Sequence, residues 1–213
     1  MAELRTEEEQ VEALKRWWNE NGKSLLVGIA IAILGVVGWN YYQDMQRQEA
    51  ETASAYYQRL LANASAVQLG TNERAAIKQD AQTLKAEYSD SAYAQYAALM
   101  LARVAVAEQD LEKAETELRW LLSNASESEL VELANLRLAL VLQAQGRLPQ
   151  ALALVQDKAD AWQARRLEIK GDIFLAQGDN SGARGAYEKA KQVAAKQGAN
   201  VALLSLKLDN LAQ

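Results

Sequence analysis

The side chains that could carry out catalysis in this chain are limited to carboxylates, lysines and serines, because its 213 residues include no histidine and no cysteine. The commonest general base, the commonest metal ligand and all thiolate chemistry are therefore missing. The best candidate pair is Glu168 and Asp172, which lie four residues apart with Lys170 between them. That spacing is far more typical of a solvated helix face than of a catalytic pair. The sequence therefore predicts no enzyme, no cofactor and no metal site.

The composition also limits the kinds of partner that the protein can have. The formal net charge is −5, from 23 basic and 28 acidic residues, so the basic surface that nucleic-acid binding requires is missing. The sequence contains no G-x-S-x-G motif and no glycine-rich phosphate loop, and we expect no small-molecule substrate. Half of the residues are apolar, which is enough for a packed core. Proteins and a membrane remain as the expected partners.

The stretch that organises the rest of the chain is Ser24–Gln43, which has the sequence SLLVGIAIAILGVVGWNYYQ and no charged residue. Twenty helical residues span roughly 30 Å, the thickness of the hydrocarbon core of a bilayer. A cleaved signal peptide is the main alternative, but bulky residues follow the apolar run where small residues would be needed for cleavage. We therefore predict a transmembrane helix over residues 24–43, separated from the preceding segment by a break at Asn21-Gly22.

The residues on either side of this stretch predict its orientation. Four basic residues precede the stretch, whereas only Arg47 occurs in the fifteen residues after it. By the positive-inside rule, residues 1–23 remain cytoplasmic and residues 44–213 lie on the other side of the membrane. Aromatic residues near both ends are predicted to lie in the headgroup region. These interfacial aromatics are Trp17, Trp18, Trp39, Tyr41 and Tyr42.

Three small residues, Gly28, Ala32 and Gly35, fall on one face of the predicted transmembrane helix. Such a face lets a second helix approach closely, and close packing drives helix association in lipid. Glycine is frequent in transmembrane helices in any case, so chance composition is the alternative. We interpret the face as a site of helix–helix contact.

Beyond Gln43 the sequence predicts an all-α domain, because good helix formers dominate, Pro149 is the only proline and no strand-like alternation occurs. Tetratricopeptide repeats place small residues twelve positions apart where paired helices cross, and a turn glycine seven positions after the first. Three pairs have the spacing of twelve, although Gln109 stands where the first turn glycine is expected. The matching residues are Ala102 and Ala114; Ala139, Gly146 and Ala151; and Gly171, Gly178 and Ala183.

We therefore predict a tetratricopeptide-like solenoid, with an unrelated helical bundle as the alternative. Its helix pairs cover residues 95–124, 132–158 and 164–197, and a capping helix covers residues 199–212. In such arrays the first helix of each pair lines a concave binding surface. A small domain can instead bury these side chains in its own core, and both readings remain open at this point. The candidate groove residues are Tyr96, Leu99 and Arg103; Leu133, Leu136 and Leu140; and Arg165, Glu168 and Asp172.

The segment Gln10–Lys23, the anchor end Gly38-Trp39-Asn40-Tyr41 and the closing Lys207-Leu208-Asp209-Asn210-Leu211 resemble the YfgM family. Members of that family often have Phe-Phe where this chain has Trp17-Trp18. The resemblance implies a non-enzymatic ancillary subunit of the SecYEG translocon in the bacterial inner membrane, with a single span and a periplasmic domain. It also implies an interaction with PpiD, a membrane-anchored periplasmic chaperone, for newly translocated proteins. The alternative function is a cell-envelope scaffold that organises another inner-membrane complex.

Overall fold

A computed structural model describes residues 7–65, 70–125 and 127–211, and within these ranges the chain forms helices and turns without any strand. The all-α class predicted from the sequence is confirmed. The chain divides into two compact units, Met1–Thr52 and Ala53–Gln213, here called the N-terminal and the C-terminal unit. The helices are α1 (Glu7–Ala64), α2 (Thr71–Glu87), α3 (Ala92–Ala107), α4 (Leu111–Asn124), α5 (Ser128–Ala144), α6 (Leu148–Leu154), α7 (Gln163–Ala176), α8 (Asn180–Lys196) and α9 (Ala202–Asn210).

The break predicted at Asn21-Gly22 is wrong, because α1 continues through both residues. An internal glycine disfavours a helix by only about 1 kcal/mol and keeps its backbone N–H donor. Local contacts also support the helix here, since the Asn21 side chain donates to the carbonyl of Trp17 at 3.1 Å. Gly22 is buried beneath the indole of Trp18, where an added Cβ would lie 3.2 Å from two ring atoms.

The C-terminal unit is built from helix pairs joined by a recurrent tight turn. After α3, α5, α7 and α8, one residue adopts a positive φ between 62° and 79°. In each turn the following N–H donates to the carbonyl five residues back, at 2.9 Å, as in a Schellman motif. Glycine occupies three of these positions, but the first is Gln109 with φ 62°. The missing turn glycine therefore leaves the turn intact, and the side chain is held in a region that glycine would adopt at lower cost. The positive-φ glycines are Gly146, Gly178 and Gly198.

The small residues spaced by twelve, which we expect to lie where the helices of each pair cross, are buried. Their small side chains let the two helix backbones approach closely, and this is why the spacing recurs with the helix pair. The five alanines are at most 3% exposed, and Gly171 is also buried. They are Ala102, Ala114, Ala139, Ala151 and Ala183.

The last residues of α1 pack with α2 and α3, an association that the sequence analysis did not foresee. Leu60 and Ala64 share one buried cluster with Ile77 and Leu84 of α2. An ion pair at the rim of this cluster joins Arg59 to Asp80 at 2.6 Å. The end of α1 is therefore part of the C-terminal unit's core.

Candidate interaction groove and anchor face

Two of the predicted groove residues, Leu99 and Leu136, belong to the core of the C-terminal unit, where they are 4% and 3% exposed. Helices on both sides of α3 and α5 cover these positions, because each first helix of a pair has neighbours along the array. For these two leucines, the alternative that the side chains are buried in the domain's own core is therefore the one that holds. Leu133 and Leu140 are half-buried against the same core cluster.

The candidate residues of α3 face the end of α1. The ring of Tyr96 lies 5.9 Å from that of Tyr57, and the half-buried Tyr93 contacts the same ring at 5.2 Å. Arg103 donates from one terminal nitrogen to the carbonyl of Ala64 at 3.0 Å. This hydrogen bond gives a partner to a carbonyl in the last turn of α1. Part of the predicted groove is thus occupied by the protein's own first helix.

The candidate residues of α7 are engaged by the last helix, α9. Lys207 of α9 donates to Glu168 at 2.9 Å and to both carboxylate oxygens of Asp172 at 2.6 and 2.9 Å. Arg165 pairs with Glu168 at 2.7 Å, and the hydroxyl of Tyr187 donates to Asp172 at 2.7 Å. The two acidic residues therefore attach the terminal helix to the preceding pair.

The protonation states in this cluster follow from its contacts. Burial by itself would raise the pKa of Glu168, but hydrogen bonds from Lys207 and Arg165 outweigh burial and hold that pKa below its usual range. Burial, together with the hydrogen bond to Asp172 and its charge, raises the pKa of the Tyr187 hydroxyl. Tyr187 thus remains a donor and Glu168 an acceptor at neutral pH. The arrangement contains paired charges and is suited to holding helices together.

An open pocket of about 300 Å³ lies between α3 and α5, with α4 as its floor. It includes Arg103 and Leu140 from the predicted groove and adds Val106, Arg137 and Ala144, which the sequence analysis did not select. Extending the same helix faces by one turn would have found them, because Val106 follows Arg103 by three residues and Arg137 precedes Leu140 by three. The lining residues are Ala102, Arg103, Val106, Leu111, Leu118, Arg137, Leu140, Val141 and Ala144.

All the charged residues that line this α3–α5 pocket are basic. Its lining contains two arginines and no acidic residue. The Arg137 guanidinium makes no hydrogen bond or ion pair with any residue in the part of the chain that the structure describes. Burial lowers the pKa of Arg137, and the like charge of Arg103 lowers it further. The pocket therefore combines apolar walls with two exposed arginines and no acidic residue in its lining.

The second candidate surface lies on α1 in the N-terminal unit. Among the residues that the structure describes, one helix is long and apolar enough to cross a membrane, with a mean hydropathy of 1.9 over 18 residues. The predicted interfacial aromatics Trp17, Trp18, Trp39, Tyr41 and Tyr42 are all at least 47% exposed. Gly28, Ala32 and Gly35 are exposed, and a Cβ added at either glycine would meet nothing within 4 Å. The small-residue face is therefore exposed, as is nearly all of this part of α1, and its role in helix contact stays a prediction.

The fold and the groove define a tetratricopeptide-like repeat protein, and comparison with known proteins agrees. Residues 15–213 match the family model described as a tetratricopeptide repeat-like domain. Among solved structures, a kinesin light chain from Podosopora anserina with nearly identical TPR-like repeats has a TM-score of 0.53 at 16% identity. The likeness covers 78% of this chain and 84% of that one, and at this identity it concerns the fold alone.

Three bacterial relatives identify the family more closely, and each bears the name ancillary SecYEG translocon subunit. The protein of Haemophilus influenzae is 34% identical and covers 96% of this chain and 97% of its own. That of Aggregatibacter actinomycetemcomitans is 35% identical over 99% of this chain and 100% of its own. That of Escherichia coli K12 is 36% identical over 85% of each chain. This chain belongs to the family of ancillary SecYEG translocon subunits.

Proposed function

We propose that this protein is a membrane-anchored, non-enzymatic adaptor at the Sec translocon, where it couples SecYEG to a PpiD-type chaperone that receives newly translocated proteins. The near full-length match to proteins named ancillary SecYEG translocon subunits carries the translocon part of the proposal. The chaperone part comes from the resemblance of the head and anchor sequences. Repeat folds of this class act by presenting surfaces to other proteins.

The location belongs to the same proposal. Residues 24–43 span the inner membrane once, residues 1–23 are cytoplasmic, and residues 44–213 are periplasmic. The excess of basic residues before the span supports this orientation. Protease added to intact spheroplasts should digest residues 44–213 and leave a protected fragment that carries the N-terminus. Complete protection of the C-terminal unit would contradict the orientation.

The two surfaces have different roles in this proposal. The small-residue face of α1 contacts a translocon helix, because small side chains allow close packing in lipid. The groove of the C-terminal unit contacts the chaperone. A substitution in the small-residue face should then remove only the contact with the translocon. A substitution in the groove should remove only the contact with the chaperone.

Affinity purification of the full-length chain in mild detergent tests the proposal. SecYEG and a PpiD-type chaperone should be recovered with the wild-type protein. A Gly28→Leu/Gly35→Leu variant should lose SecYEG, because two bulky side chains separate the helices. Ala30→Leu is the control: Ala30 is also exposed, but two residues on from Gly28 it lies about 160° away around the helix, on the side opposite the small-residue face. Recovery of a different envelope complex in place of SecYEG would favour the scaffold alternative.

A further inference from the structure

We propose that the α3–α5 pocket binds an internal segment of a partner protein that carries an aspartate or glutamate flanked by apolar side chains. This inference rests on the proposed adaptor function and specifies the chemistry of the partner at the groove. Two observations carry it. The pocket wall is largely apolar, and Arg103 has a hydrogen-bond partner whereas Arg137 has none among the described residues.

The apolar part of the pocket is suited to side chains of modest size. Val106 is 47% exposed, although it lies beside the buried Ala102 and Val141. A volume of about 300 Å³ lies at the lower end of the range for ligand pockets and accommodates two or three amino-acid side chains. Filling it with apolar side chains would remove Val106 and Leu140 from water.

The charged part of the pocket offers two exposed guanidinium groups to an anion from outside the C-terminal unit. Arg103 already uses one terminal nitrogen on the Ala64 carbonyl, which holds its guanidinium in place. Arg137 has no such contact with a described residue, and its charge lies near the like charge of Arg103. A carboxylate from a partner would relieve the repulsion and accept hydrogen bonds from both guanidinium groups.

The two arginines lie on different helices, with apolar lining beside each of them. An acidic side chain within a continuous segment places apolar neighbours on both of its sides. A C-terminal carboxylate would have chain on one side only and would fill less of the pocket. We therefore assign the carboxylate to an internal aspartate or glutamate.

Selection from displayed peptides tests the inference directly. Full-length protein in detergent micelles is the bait for a library of random twelve-residue peptides fused at their C-terminal ends, so that no free carboxyl end is present. Wild-type protein should enrich peptides in which an acid is flanked by leucine, isoleucine, valine or phenylalanine. An Arg103→Gln/Arg137→Gln variant should bind the selected peptides at least tenfold more weakly, about the loss of one charge-assisted hydrogen bond.

Matched controls separate the pocket from general electrostatics. Lys189→Gln/Lys196→Gln removes the same charge from exposed positions of α8 and should leave peptide binding unchanged. A selected peptide is then synthesised with an amidated C-terminus, once with its aspartate and once with asparagine in that place. The asparagine peptide should bind the wild-type protein as weakly as the aspartate peptide binds the arginine variant. If the double variant is destabilised, Arg137→Gln alone serves, because Arg137 has no hydrogen bond or ion pair with a described residue to lose. Its affinity for the peptide should also fall about tenfold.

Three results would overturn the inference: no enrichment by folded wild-type protein, enriched peptides without acids, or equal binding by the arginine variants. A parallel library of peptides with free C-termini provides a fourth test. The inference would also be overturned if that library enriched peptides only through their terminal carboxylate. Recovery of SecYEG from the same wild-type preparation reports separately on the proposed function. Loss of SecYEG with peptide selection intact would refute the adaptor role and leave the pocket assignment standing.

Discussion

Gly171 of α7 lies so close to the ring of Tyr187 of α8 that a Cβ at Gly171 would approach the ring carbon Cε1 to 2.4 Å. The other helix pairs have alanine at the equivalent positions, Ala102 and Ala139, and the residues sixteen positions later, equivalent to Tyr187, are Leu118 in α4 and Val155 just after α6. The glycine therefore compensates for a larger partner. Tyr187 cannot move aside easily, because it is 1% exposed and its hydroxyl is bound to Asp172.

We predict that Gly171→Ala lowers the free energy of unfolding by about 1–3 kcal/mol, because the added methyl overpacks the helix crossing. Tyr187→Leu in the same chain should recover part of this loss by making room. Thermal unfolding of the full-length chain in detergent, followed by circular dichroism, measures both effects. Gly185→Ala is the control: its Cβ would meet nothing within 4 Å, and the gain in helix propensity should stabilise α8 by about 0.5–1 kcal/mol. Equal effects of the two substitutions would contradict the packing argument.

The turn after α3 offers a stabilising substitution. Gln109 has φ 62°, a conformation that costs a non-glycine residue about 1 kcal/mol relative to glycine. Gln109→Gly should therefore raise the melting temperature, even though glycine also increases the entropy of the unfolded chain. Gly146→Ala is the opposite substitution at the equivalent turn, where φ is 75°. It should lower stability, because alanine adopts a positive φ at a higher cost than glycine. A loss of stability in Gln109→Gly would show that the glutamine side chain makes a compensating contribution.

The attachment of α9 depends on Lys207. Replacing it with methionine keeps most of the aliphatic stem but leaves Glu168 and Asp172 without their shared cation. We expect a loss of about 2 kcal/mol, less than for a fully buried pair, because Lys207 is partly accessible. Hydrogen exchange should show the loss first as faster exchange in α9. Unchanged exchange in α9 would mean that its apolar contacts alone hold it in place.

The same cluster predicts a pH dependence. The folded-state pKa of Glu168 is lowered, so its contribution to stability is present above its unfolded pKa of about 4.5 and is lost as pH falls towards the folded value. The wild-type protein should therefore lose stability between neutral pH and pH values below about 4.5. Lys207→Met should lose less over the same interval, because one of the two cations that lower the pKa of Glu168 is gone and only Arg165 remains. If the free energy of unfolding falls equally with pH in the wild-type protein and in Lys207→Met, Lys207 is not what lowers the pKa of Glu168.

Arg166 provides a comparison between buried and exposed ion pairs. It is 3% exposed, pairs with Glu132 of α5 and with Asp160, and donates to the carbonyl of Lys158 at 2.7 Å. Arg166→Leu should cost about 3 kcal/mol, because Glu132 loses its cation and Asp160 keeps only the longer ion pair with Lys158, at 3.6 Å. Arg119→Leu removes a 54% exposed arginine that pairs with Glu115 within α4, and it should cost less than about 1 kcal/mol. Urea unfolding of both variants makes the comparison, and similar midpoints would contradict it.

Much of the fold was predictable because its signals are local. The spacing of twelve between small residues reflects contacts between consecutive helices, and the turn glycines reflect a conformation that one residue must adopt. Two features were missed for related reasons. The helix continues through Gly22 because the ring of Trp18 covers it, a contact that glycine's propensity does not include. The end of α1 joins the core because it packs against α2 and α3, and the pattern within α1 does not show which later helices will cover it.

The sequence by itself determined the apolar stretch, the helical class, the repeat spacing and the family, because each of these depends on residue type and on short-range periodicity. Only the tertiary structure decided which groove residues are accessible. Leu136 and Leu140 occupy neighbouring turns of one helix, yet one is buried and the other lines the α3–α5 pocket. Glu168 and Asp172 have the spacing of an exposed face, but Lys207, 35 residues after Asp172, lies over them. Accessibility depends on which distant element covers a face, and local periodicity carries no information about that element.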